Sequence, residues 1–79
     1  MIDSRKLEEE QRKMRLLRTI VDLTSAILHQ SNLTVPEGIE LIGATKKGVL
    51  QLFPDKEDVY ELIYRPRFER IIKEMLEEN

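Results

Sequence analysis

Apolar residues along the 79-residue chain recur at three- and four-residue steps. Met14, Leu16, Leu17, Ile20, Val21, Leu23, Ile27 and Leu28 follow this rule, which marks an amphipathic helix because 3.6 residues make a turn. Asp3 is suited to cap that helix, with Ile2 and Leu7 spaced as a hydrophobic staple around it. Between Lys6 and Lys13 the only apolar residue is Leu7, so this stretch is expected to be solvated on nearly every face. Carried to the polar run His29-Gln30-Ser31-Asn32, the helix would hold about 27 residues and measure roughly 40 Å. So short a chain cannot cover that length. Residues 1–13 are therefore expected to form a solvated or frayed extension, or to meet a partner.

Thr34-Val-Pro-Glu37 reads as the start of a second helix. Thr34 at the cap and Glu37 three residues on make a capping box, and Pro36 is tolerated in a first turn. The apolar positions Ile39, Leu41, Ile42, Val49, Leu50, Leu52 and Phe53 lead on to Pro54. All three glycines (38, 43 and 48) lie in this stretch, each costing up to about 1 kcal/mol against Ala in a helix interior. Two arrangements fit: a break at Gly43-Ala44 with Thr45 capping a second short helix, or one continuous, weakened helix. Asp55 then reads as the cap of a further helix, with Glu57 and Asp58 at the positive end of its dipole. Val59, Leu62 and Ile63 face inward in this reading, and Phe68, Ile71, Ile72, Met75 and Leu76 continue the stripe. Pro66 lacks a backbone donor and crowds the preceding turn, so a kink is expected there. The fold class is all-α: a small three- to four-helix bundle with a long N-terminal helix and the last helix kinked at Pro66. Residues 52–70, which hold both Phe, both Tyr and two of the three prolines, form the corner to which the other helices are brought.

A chain of this length makes one domain and buries only about 60% of its unfolded surface. It contains no Cys, which rules out a disulfide and a thiolate metal site, leaving association as a means of stabilising a small core. No apolar run reaches the roughly 18 residues of a membrane span and no leader pattern opens the chain, so a soluble cytoplasmic protein is the default expectation. The net charge of −2 is uneven: residues 1–20 carry +2, residues 21–53 carry −1 and residues 54–79 carry −3. A dedicated nucleic-acid binder shows a basic excess, which this chain lacks overall.

Residues 34–60 resemble the helix-turn-helix of the tetracycline-repressor-like family of bacterial regulators. Thr34-Val35 stands at the family's opening and Gly43-Ala44-Thr45-Lys46 at its turn, with Phe53, Pro54, Lys56, Glu57 and Val59 in register. Upstream, Ile20-Val21-Asp22 is similar to the family's Ile-Leu-Asp, preceded by Arg15 and Arg18. The resemblance implies DNA binding, with Thr45 in the turn, Lys46, Lys47 and Gln51 entering the major groove, and Arg15 and Arg18 on phosphates. The family's phosphate-contacting aromatics read Leu50 and Leu52 here, and Pro66 interrupts the linker helix.

Tyr60 and Tyr64, four apart, form with Arg67 and Phe68 a second candidate, a partner-binding anchor; burial in the core is the plainer alternative. Arg65, Arg67 and Arg70 could hold an anion, but Glu61–Arg65, Glu69–Lys73 and Arg70–Glu74 stand four apart and pair along the helix. The acids Asp55, Glu57, Asp58 and Glu61 lack the tight glycine turn of a calcium loop, and helix capping accounts for them. His29, the sole His, has no nucleophile and orienting group beside it in sequence and is suited to a helix C-terminus. No phosphate-cradling loop occurs. The expectation is a non-catalytic interaction module, without metal or cofactor, that self-associates or meets a protein partner. DNA binding is the alternative; it is not favoured.

Overall fold

The computed structural model describes residues 3–78. Helix α1 (Ser4–Gln30) opens on Asp3, whose carboxylate accepts from the Arg5 backbone N–H at 3.0 Å. The Ile2 half of the expected staple lies outside the described residues. Helix α1 is helical from its first residue and its amino end is solvated: residues 3–9 are all exposed, and Glu10 reaches the bundle through Lys56. At the other end the Ser31 N–H donates to the Ile27 carbonyl at 2.9 Å, and the chain reverses over Ser31, Asn32 and Leu33.

Helix α2 (Val35–Leu52) begins with the capping box read from sequence. The Glu37 N–H donates to Thr34 Oγ1 at 3.3 Å, and the Thr34 N–H donates to Glu37 Oε1 at 2.9 Å. Those bonds to the charged form hold the Glu37 carboxyl below its usual range, the backbone donor of Thr34 being the larger cause. Of the two arrangements open at Gly43, the continuous one is found: α2 is unbroken, and no glycine has positive φ. The glycines differ in what surrounds them. A Cβ on Gly38 would meet the Ile72, Leu28 and Met75 side-chain ends at 3.3 Å, so here α2 approaches both neighbours closely. Gly43 and Gly48 have nothing within 4 Å. The double variant Gly43→Ala, Gly48→Ala is therefore expected to gain about 1–2 kcal/mol from helix propensity alone, read as a higher urea midpoint. A loss of stability would show that the open glycines are needed for something else.

The third helix, α3 (54–78), is irregular at its start. Asp55 does not cap it: Pro54 takes the first position of a 3₁₀ turn, Pro54–Lys56, and no side chain bonds the free N–H groups there. Proline suits that position because its missing donor would have been unpaired in any case. After one α turn, Glu57–Val59, the helix widens into a π turn, Tyr60–Tyr64, in which the Arg65 N–H donates back five residues to the Tyr60 carbonyl. Regular α-helix resumes over Arg65–Glu78. The expected kink at Pro66 thus takes the form of a wide turn before it. Pro66 cannot donate to the carbonyl four residues back and its ring crowds that oxygen; opening the turn relieves the crowding. The extra residue also corrects a drift. In a regular helix, positions four apart rotate by about 40° each step. With the π turn, Tyr60, Tyr64, Phe68 and Ile71 all stay buried.

Cross-contacts give the topology. Thr24 meets Thr45 and Leu28 lies by Gly38, so α2 runs antiparallel to α1; Glu10 meets Lys56 and Asp22 meets Arg67, so α3 runs parallel to it. This up-down-up bundle has no strand among the described residues and measures 53 × 20 × 18 Å. Its core joins Leu17, Val21 and Leu28 to Val49, Phe53, Tyr60, Tyr64, Phe68 and Ile71.

Candidate interaction surface

Helix α1 carries two apolar seams, and sequence periodicity merged them into one face. Leu17, Val21, Thr24 and Leu28 step by four, three and four residues, and all four are buried against α2 and α3. Leu16, Ile20, Leu23 and Ile27 repeat the same steps one residue earlier, about 100° around the helix. In this second seam Leu16 is 46% exposed, Leu23 61% and Ile27 44%, with Ile20 half-buried at the edge of the core. A four-three-four spacing is what a helix presents to another helix along a coiled-coil seam. The first seam has its partners within the chain; of the second, Ile20 alone reaches the core, while Leu16, Leu23 and Ile27 stay exposed. Finding both from the sequence would have required separating positions 16, 20, 23 and 27 from 17, 21, 24 and 28.

Other large apolar side chains also stand outside. Leu7, Ile39, Leu52, Leu62, Ile63 and Leu76 are exposed, so among the described residues as many large apolar side chains face water as line the core. Leu62 and Ile63, expected inward, point outward because the π turn gives the inner face to Tyr60 and Tyr64. Between α2 and α3 an apolar groove of about 280 Å³ is lined by Ile39, Ile42, Phe68 and Ile72, with Arg65 and Glu69 along its rim. Arg65 is held there by Glu61 and Glu69, each at 3.0 Å.

The aromatic anchor expected from sequence is interior. Tyr60, Tyr64 and Phe68 are buried in the single chain, with Tyr60 and Phe68 ring centroids 6.2 Å apart and tilted by 44°. They bind the bundle to itself instead of presenting rings to a partner, because the π turn and Pro66 turn that face toward α1 and α2. Arg67 stays at the surface, where its guanidinium donates to Asp22 at 2.9 Å and ties α3 to α1. The Tyr60 hydroxyl is buried without a hydrogen-bond partner, and burial, then the charge of Glu61, push its pKa up to about 12. Tyr60→Phe is expected to be more stable by about 1 kcal/mol at pH 7, since an unpaired buried hydroxyl is removed. The sign with pH follows from a folded value above the unfolded one near 10. The native chain keeps this group's contribution below pH 10 and loses it as pH rises toward 12, whereas the Phe variant does not. Thermal melts at pH 7 and pH 11 should show the gap widening; an unchanged gap would mean that the phenol titrates normally.

The residues implied by the regulator resemblance are dispersed. With α2 unbroken there is no turn at Gly43–Thr45 to set a recognition helix apart. Thr45 is buried and shares a 2.8 Å hydroxyl contact with Thr24, so it is packing between α1 and α2, away from solvent. Lys46 is engaged by Glu61, and its ammonium lies 5.9 Å from the Tyr60 ring centroid. That lysine, followed by Arg65, holds the Glu61 carboxyl below its usual range. Lys47 and Gln51 are exposed on α2, while Arg15 and Arg18 are exposed on α1, Arg18 beside Asp22 at 3.8 Å. Lys56, matched to the family's lysine, is buried, its side chain 10% exposed between Glu10 and Asp55.

His29, in the last turn of α1, lines a polar hollow with Asn32 and Glu78. Among the described residues no cluster of His and acids is arranged to hold a metal ion, and no helix is long and apolar enough to cross a membrane. No family model matches this chain, and the curated proteins and solved structures yield no match either.

Proposed function

We propose that this chain is a small non-catalytic interaction module that associates with a second copy of itself through the outer seam of α1. The carrying observation is the exposure of Leu16, Leu23 and Ile27 at coiled-coil spacing on a helix whose adjacent seam is fully used. Contiguous exposed apolar surface is uncommon on a soluble monomer and marks an interaction site. Covering it also adds apolar burial that so small a core lacks. Burial of the aromatic corner supports α1, and not that corner, as the docking element.

The test is sedimentation at micromolar concentration. The native chain is expected to be dimeric and Leu23→Glu monomeric, with helical circular dichroism unchanged because Leu23 is outside the core. A carboxylate forced into an apolar seam costs several kcal/mol unless it is paired, enough to weaken association by at least about 100-fold. A native chain that remains monomeric would refute the proposal.

A further inference from the structure

The outer seam of α1 reads the same in both directions. Its steps of four, three and four residues are symmetric about the point between Val21 and Asp22, so reversing the helix places Leu16 on Ile27 and Ile20 on Leu23. A two-fold axis perpendicular to the helix produces this matching, and a symmetric pair of identical chains must use one self-complementary patch. We infer that two copies of this protein pair α1 against α1 antiparallel, with that axis between Val21 and Asp22; the inference rests on the self-association proposed above.

Charge selects this polarity. Residues 12–18 hold Arg12, Lys13, Arg15 and Arg18 and no acid. A parallel pair would set these four cations beside the same four of the other copy along one seam. The antiparallel pair sets them against residues 25–31 of the other copy, Ser25 to Ser31, which hold no Lys, Arg, Asp or Glu. That segment ends at the carboxyl terminus of α1, where the helix dipole favours cations. The length of α1 fits as well. The two turns that outrun their own bundle carry Glu8 and Glu9 past the end of the other α1, toward its 31–34 turn and the amino end of α2, where the dipole favours acids.

The chain has no cysteine, so a single Arg12→Cys substitution gives one spin-label site on the exposed, basic part of α1, off the seam. In the antiparallel register residue 12 is level with residue 31 of the other copy, and the label-to-label distance by pulsed electron resonance should be about 30 Å. In a parallel pair it would be about 10 Å. Sedimentation of the same labelled sample separates the two levels of the argument. A dimer with a distance near 30 Å that disappears when Leu23→Glu is added supports the inference. A dimer with a distance near 10 Å overturns the antiparallel register and leaves self-association through α1 intact. A dimer that survives Leu23→Glu overturns both the seam and the register, as does a labelled native chain that is monomeric.

Discussion

Phe68→Ala is expected to remove about 3–5 kcal/mol, a quarter or more of the stability of the fold. Phe68 is 1% exposed, packs its ring on Tyr60, and forms the floor of the groove between α2 and α3. Removing a buried Phe side chain costs about 3–5 kcal/mol, the lost transfer energy plus the cavity left behind. A chain of this size has a total stability of about 4–12 kcal/mol, so the substitution removes a large share of it. The site cannot collapse easily, because Pro66 and the π turn fix the backbone immediately before it. Urea unfolding followed by circular dichroism, at one fixed protein concentration, gives the loss directly. A change below about 1 kcal/mol would mean that the aromatic corner is not the centre of the core.

Lys56 carries the second large effect. Its ammonium is enclosed at the corner between α2 and α3, with Glu10 of α1 and Asp55, at 3.4 Å, as its acids. Lys56→Glu would put a third carboxylate beside those two at a buried position, and is expected to cost about 3 kcal/mol or more. Lys56→Met keeps the apolar stem and removes the charge, and is expected to be nearly neutral, since the desolvation cost of the ion disappears with its attraction. The contrast between the variants is the informative quantity. Equal losses, measured as urea midpoints, would show that the ammonium and its ion pairs, and not the stem, hold the first helix to the corner.

Local rules recovered the helices well. Asp3 and Thr34-Glu37 cap where their chemistry says they should, Ser31-Asn32-Leu33 reverses the chain, and the proline at 66 distorts the last helix. These features depend on neighbours within a few residues, so they are written in short stretches of sequence. Asp55 shows the limit of that rule: the helix starts at Pro54, two residues earlier than a cap at Asp55 would place it, and leaves the acid inside the first turn. The interaction surface depends on which element covers which face, and periodicity alone does not say. Leu16 and Leu17 are adjacent and equally apolar, yet one is 46% exposed and the other fully buried. Tyr60 and Tyr64 suit an interface and a core equally well by composition; the wide turn decides for the core. Lys56 was invisible as a core residue because Glu10, the acid that joins it to the first helix, lies forty-six positions away in sequence. Thr45 suited the turn of a recognition helix and is used instead as packing against Thr24.

The projection of α1 beyond its bundle has a practical side. Residues 4–9 are exposed and no core side chain belongs to them, so those turns can open and close while the remainder stays intact. A label, an added segment or a protease cut placed there is tolerated by the fold. That makes the first two turns a handle by which the molecule can be held without disturbing its core.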